Sequence, residues 1–402
     1  MEVLHFQTSN DVIDHLREKK DDLHFVSLLN ASLAKANQTA SNNLDKALYN
    51  ELQWPLNLAE YITFLLEFSM WTPQQSDLPA WKNPKTGNSQ EVYDRLCHFY
   101  FLIDQEVGED NSTIVQNIPW FSIWLRDYAD LWGSFLNTTE SFSDEILETY
   151  IKNSPQYRIQ DSMIDGRPNN PSGWLTFNQF FARELNPGLR PIDSPTNNKV
   201  VTAPADCTFR KKYSINADST ITEIVIKQTH KVANVNELLK DSKYANDFAG
   251  GLFVHYFLGP YSYHRFHTPV AGVIKECYPV QGLVSLDVNL ENMQFDAPDN
   301  AEDGYEFLQA RGIITIDTTN SPYGNMGIVA VIPIGMCQVS SVNMIAQPGS
   351  TVPKGEEFGY FLFGGSDIIL LFQEGYIPEI DECTNYRHYG TSISKCPPKV
   401  NP

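Results

Sequence analysis

A chain of 402 residues with 42% hydrophobic content is long enough for two or three domains, each with a core of its own. A formal net charge of −20 excludes a nucleic-acid binder and argues against docking on anionic membranes by charge alone. The longest apolar runs, such as GIVAVIPIGM at 327–336, fall well short of the ~20 residues needed to cross a bilayer.

The opening MEVLHFQTSNDVIDHLREKK lacks the apolar core of a secretory signal, so the Asn-x-Ser/Thr triplets at 30, 37, 111 and 137 are read as chance. The first ~160 residues predict helices by their periodicity. In LAEYITFLLEF, Leu58, Tyr61, Ile62, Leu65 and Leu66 fall on one helix face. Phe121, Trp124, Leu125, Tyr128, Leu131 and Trp132 repeat the pattern after Pro119, which assigns these aromatics to a core rather than to a cofactor site. SFSDEILETY from 141 supplies a serine cap with acids in the first turn. SPQYRIQDSMIDGRPNNPSG, 154–173, is a boundary loop by composition; TFNQFFAREL predicts one more helix, which NPGLRPIDSP ends. From about 200 onward, TEIVIK, GLFVHYFL, AGVIKECYPV, RGIITIDT, GIVAVIPI, CQVSSVNMIA and SDIILLF are short, Val/Ile/Phe-rich and bounded by turn residues, so they predict strands. The expected class is α+β, with a helical domain over 1–165 and a β-rich domain over 174–402. Six cysteines, at 97, 207, 277, 337, 383 and 396, form no Cys-x-x-Cys pair, which predicts free thiols in a reducing cytoplasm.

Three segments of the β-rich part hold groups that could cooperate: APADC with Asp206, YSYHRFHTP with His264 and His267, and FGGSDIILLF with Ser366. Asp, His and Ser are common, and spacing alone gives the two histidines a satisfied or surface role. Positions i and i+3 point to opposite faces of a strand and no third ligand stands at a metal-like spacing, so no metal site is expected. Gly-Gly-Ser-Asp before a strand-forming run reads either as a tight turn or as a bond placed to be broken.

Taken together, LTFNQFFARELNPGLRPIDSP (175–195), APADC, YHRFHTPVAG and VPKGEEFGYFLFGGSDIILLF (352–372) resemble the phosphatidylserine decarboxylase family, in the family's order and over roughly half of the chain. The N-terminal half resembles, more loosely, the helical extension of soluble relatives that include a fungal tryptophan decarboxylase. The resemblance implies a catalytic domain of that type over 174–402 and a zymogen that cuts itself between Gly365 and Ser366. His267, oriented by Asp206, would take the proton of Ser366. Ser366 Oγ would attack the Gly365 carbonyl, and the glycines, lacking Cβ, would leave that carbonyl open. Elimination, then hydrolysis with loss of ammonia, would leave a pyruvoyl group at 366, with a β chain of 1–365 and an α chain of 366–402. That ketone would take up the substrate amine as a Schiff base and act as the electron sink for loss of CO₂. His264, with a pKa near neutrality, would supply the proton that must then arrive at Cα.

Three positions depart from the family's pattern: Cys207 after Asp206 in place of Gly, Ser262 in place of Asp, and Asp367 after the serine. A carboxylate at 367, beside the new ketone, would slow maturation or help to select the substrate. The resemblance implies phosphatidylserine as substrate, giving phosphatidylethanolamine, or a free L-amino acid such as tryptophan by the same chemistry. An uncleaved Asp-His-Ser hydrolase, or a relative that only binds, is the alternative of another class. Residues 281–310 carry acids at 287, 291, 296, 299, 302, 303 and 306 and no Lys or Arg. This run is either a solvated loop or a cover that would repel a lipid phosphate and welcome an amine. The expected setting is cytoplasmic, with peripheral membrane contact through an amphipathic helix and homo-oligomerisation left open.

Overall fold

A computed structural model of the chain describes residues 9–298, 301–337 and 341–400. Asp299 of the acidic run, and Gln338, Val339 and Ser340 of the predicted strand CQVSSVNMIA, lie outside them. The described chain is α+β, and it divides into two compact units, each assembled from separate stretches of sequence.

One unit comprises 1–155, 174–180 and 283–298. Its helices are α1 (Ser9–Glu18), α2 (Leu23–Asn43), α3 (Lys46–Glu51), α4 (Leu58–Phe68), α5 (Glu91–Phe101), α6 (Pro119–Phe135) and α7 (Asp144–Asn153). Their starts are written locally. Asp22, Asp45, Asn57 and Ser143 accept hydrogen bonds from backbone N–H groups of the first turn, and Pro119 opens α6, where its missing N–H costs nothing. The aromatic stripe of α6 is core. Phe121, Trp124, Tyr128 and Trp132 are buried, and their polar atoms find carbonyls: Trp124 Nε1 donates to Val12, Tyr128 Oη to Leu65 and Trp132 Nε1 to Trp71. Part of the acidic run belongs to this unit. Asn289–Glu291 pairs with Gln294–Asp296 as a hairpin, Phe295 packs edge-on against Phe101, and the Val288 N–H donates to Asp104.

The other unit comprises 156–173, 181–282 and 299–402. The strands of its two larger sheets are β1 (Thr208–Ser214), β2 (Leu252–Leu258), β3 (Arg265–His267), β4 (Gly272–Val280), β5 (Ala310–Asp317), β6 (Ile328–Met336), β7 (Val342–Met344), β8 (Thr351–Val352), β9 (Glu357–Phe361) and β10 (Gly365–Phe372); Thr220–Ile226 with Lys231–Asn234, and Met163–Ile164 with Arg167–Pro168, form separate pairs. A seven-stranded antiparallel sheet runs β8-β4-β5-β6-β10-β2-β1, and a three-stranded one runs β7-β9-β3. Ile368, Ile369, Leu370, Leu371 and Phe372 of β10 are all fully buried. A strand apolar on both faces belongs inside a sheet, and β10 lies between β6 and β2.

Two sequence expectations are corrected. TFNQFFAREL yields only a short helix, Phe177–Phe181, which gives way to a turn at Ala182 and to irregular chain over 183–186, where Arg183 donates to the Tyr157 carbonyl. Cys383 and Cys396 are not thiols but form a disulfide, while Cys97, Cys207, Cys277 and Cys337 stay outside any disulfide among the described residues. Scatter along the chain did not reveal the pair. The tail turns around the fully buried Arg387, whose guanidinium donates to the carbonyls of Asp381, Cys383, Ser392 and Lys395, and this brings the two Cα atoms to 5.5 Å.

Candidate active site

Ser366 sits at the start of β10, opposite Gly335 of β6 and Leu258 of β2, and is fully buried. Its Oγ has no hydrogen-bond partner among the described residues. Leaving a buried hydroxyl unpaired costs about 1–3 kcal/mol, so folded proteins rarely keep one without a use. The glycines before it do not form a hairpin. β9 and β10 belong to different sheets, and residues 362–364 carry the chain from one to the other. Gly364 has φ 154°, which side-chain-bearing residues rarely adopt, so the chain bends immediately before the Gly365–Ser366 bond. An orphaned hydroxyl next to a backbone without Cβ suits a pyruvoyl precursor.

Asp367, also fully buried, faces away from Ser366, since successive strand side chains alternate. Its Oδ2 accepts from Tyr305 Oη at 2.6 Å, its Oδ1 lies 3.4 Å from His255 Nε2, and His255 Nδ1 lies 3.5 Å from Glu306 Oε1. The carboxylate is engaged in this buried cluster on the far face of the strand. Glu306, an acid of the 281–310 run, is therefore core rather than solvated.

His264 precedes β3 and is fully buried, with neither ring nitrogen hydrogen-bonded among the described residues. Its ring stacks on Phe181 at 4.0 Å, and Phe181 meets Phe363 edge-on at 5.1 Å, three residues before the serine. The expectation of a near-neutral pKa does not hold for this environment. Burial pushes the imidazole down to about 3, the Arg183 charge adds to this, and a Ser262 backbone group opposes it without meeting hydrogen-bond geometry.

His267 lies in β3 with both ring nitrogens engaged: Nδ1 is 3.0 Å from the Gly355 carbonyl and Nε2 is 3.2 Å from Tyr263 Oη. A carbonyl can only accept, so Nδ1 carries the proton and Nε2 is the basic lone pair, toward which Tyr263 points its hydroxyl. Burial lowers this imidazole to about 4; the Gly355 carbonyl and Asp206 pull the other way. Asp206 does not hydrogen-bond His267. Its carboxylate takes Arg190 Nη2 at 2.6 Å and Nε at 3.1 Å, and the Tyr389 N–H at 2.8 Å, so it reaches the histidine only through its charge. Arg190 and Tyr389 escaped the sequence reading: one stood in a stretch read as irregular, the other in a tail without a motif. Cys207 and Ser262 are accommodated by the same tail. Cys207 and Arg387 exchange backbone hydrogen bonds, and Tyr386 Oη donates to Ser262.

Histidines held neutral by burial make the fold acid-sensitive. With folded values of about 3 and 4 against 6.5 unfolded, the unfolded chain binds more protons below pH 6.5. The stability is fully present above 6.5 and falls as the pH drops toward 3–4, by about 1.4 kcal/mol per unit of pKa difference. Guanidinium unfolding at pH 7 and pH 4.5 should show this drop, and His264→Leu should flatten it; an unchanged slope in that variant would contradict the assignment.

One compact unit thus holds a buried serine hydroxyl after a bent Gly-Gly entry, two histidines that burial keeps neutral and a buried carboxylate. The family model for phosphatidylserine decarboxylase matches residues 177–393, just over half of the chain. The chain belongs to the phosphatidylserine decarboxylase family, a family of carboxy-lyases. It is 27% identical over 297 residues to decarboxylase iboD of Amanita muscaria, covering 68% of this chain and 82% of that one. It is 28% identical over 256 residues to phosphatidylserine decarboxylase proenzyme 2 of Oryza sativa subsp. japonica, covering 63% of this chain and 37% of that protein. Against the phosphatidylserine decarboxylase proenzyme of Chlamydia trachomatis serovar L2 it is 32% identical over 201 residues, 50% of this chain and 60% of the other.

Proposed function

We propose that this chain is a pyruvoyl-dependent decarboxylase that matures by cleaving its own Gly365–Ser366 bond and removes the α-carboxylate of a free L-amino acid. The single observation that carries self-cleavage is the fully buried Ser366 Oγ, without a hydrogen-bond partner among the described residues, directly after Gly364-Gly365. His267 holds a basic Nε2, 3.2 Å from Tyr263 Oη, as the acceptor for the serine proton. When formed, the pyruvoyl ketone supplies the electron sink for loss of CO₂. Phe181, Phe361 and Phe363 wall the His264 side and exclude water, which suits a compact, uncharged or aromatic substrate side chain. A substrate carboxylate arriving beside His264 raises the depressed imidazole pKa, so the ring can take a proton that the substrate ammonium gives up and deliver it to Cα in place of the departed CO₂.

The iboD match is broader than the residues matched by the family model, and that relative is named a decarboxylase without mention of a phospholipid. Phosphatidylserine is the second reading, favoured by the family and by the rice and chlamydial relatives. The proposal keeps a helical region over 1–165 and a catalytic region over 174–402. No helix among the described residues is long and apolar enough to cross a membrane. The Cys383–Cys396 bridge favours an oxidising compartment over the cytoplasm expected from cysteine scatter.

The test is CO₂ release from a panel of free L-amino acids, tryptophan included, beside phosphatidylserine liposomes. Release from an amino acid alone supports the first reading, and release from liposomes alone replaces it with the second. A single intact chain with neither activity leaves the hydrolase or binding protein.

A further inference from the structure

We propose that the C-terminal loop closed by Cys383 and Cys396 assembles the maturation base, with Tyr389 as the positioning residue that couples Asp206 to His267. This rests on the self-cleavage reading above. Asp206 and His267 share no hydrogen bond, but Tyr389 touches both. Its ring lies face to face with the imidazole, 3.7 Å between centroids and 3° from parallel, and its N–H donates to Asp206 Oδ1 at 2.8 Å. Tyr263, whose hydroxyl meets His267 Nε2, stacks on the same Tyr389 ring at 5.6 Å.

The loop is built to hold that position. Arg387 fills its centre, and the backbone bonds Cys207 N–H to Arg387 C=O and Arg387 N–H to Cys207 C=O, at 2.8 and 2.7 Å, fasten it beside Asp206. The N–H of Ser392 donates to the Asp193 carboxylate at 2.8 Å, and the disulfide shuts the loop. The loop itself, 383–396, lies after the Gly365–Ser366 bond, while Asp193, Asp206 and Cys207 lie before it. The fragment that carries the new terminus therefore also carries the ring that orients the base, while the base and Asp206 stay on the other fragment. A flat ring over one face of an imidazole fixes its plane and keeps water from it, so Nε2 stays an unprotonated acceptor aimed along one line. The other charged or titratable groups facing His267 are Asp206 and Arg190, Tyr263, Arg265 of its own strand, and Glu357 across the β3–β9 pair.

Precursor made by cell-free translation, with cleavage followed on gels from pH 4 to 9, tests this. Cleavage should slow as the pH falls through the value of the base. Tyr389→Phe keeps the ring and should match the parent in rate and profile. Tyr389→Ala should slow cleavage ~10-fold or more, and its acid limb should move up from about 4 toward the ordinary imidazole value of 6.5 as water reaches the ring. Tyr389→Leu, which keeps the apolar volume and spares the fold, should slow cleavage with a smaller shift of the limb. If Tyr389→Ala and Tyr389→Leu both cleave as the parent does, or slow down with the acid limb unmoved, the positioning role is overturned while self-cleavage stands. A parent chain that never cleaves overturns both.

Discussion

Replacing Ser366 by alanine is expected to leave one full-length chain where the parent gives two, of residues 1–365 and 366–402. Ser366→Ala changes one buried atom that has no hydrogen-bond partner, so the core of β10 should hold and the melting temperature should not fall. What disappears is the hydroxyl to which the proposed maturation assigns the attack on the Gly365 carbonyl, and with it the source of the expected ketone. Intact mass spectrometry reads both consequences: the parent's small fragment carries a keto terminus in place of an amine, and the variant shows neither fragment nor keto group. Normal cleavage of the variant, or an uncleaved parent, would end the self-processing account.

The second large effect is expected at His264, and it separates maturation from turnover. His264 stacks on Phe181, whereas His267 holds the Gly355 carbonyl and Tyr263, so the two rings occupy different surroundings although three residues separate them. His264→Gln should therefore cleave at close to the parent rate but lose ~10²–10⁴-fold in decarboxylation, the usual worth of a positioned proton donor. The comparison is made on fully cleaved protein, with CO₂ release measured against substrate concentration. A variant that cleaves normally and keeps full turnover moves the proton-donor role to another residue.

Much of the fold was legible because it is written in local terms. The period of 3.6 in LAEYITFLLEF and in the stretch after Pro119, with the Asp, Asn and Ser caps, dictates helices whatever they pack on. The apolar run after Ser366 dictates a central strand for the same reason. Ser366, His264, His267 and Asp206 could be named from four short motifs in order. The contacts among them could not. The partner of Asp206 is Arg190, sixteen positions upstream, and the ring that covers His267 is Tyr389, more than a hundred positions downstream. Glu306 looked like one more acid of a solvated run until the chain folded it against His255.

Residue type and spacing were enough to specify the helical and β-rich stretches, and the order of four motifs, by resemblance to a family, singled out Gly365-Ser366, Asp206 and the two histidines. Folding alone chose which of those side chains meet. A carboxylate, an imidazole or a thiol has no preferred partner in sequence, since its pairing depends on which strands and loops come within a few ångströms. That is why the disulfide, the Arg190–Asp206 ion pair and the Tyr389–His267 stack emerge only in three dimensions. Burial sets the protonation of both histidines for the same reason, because the water withdrawn from a ring is a property of the surrounding core.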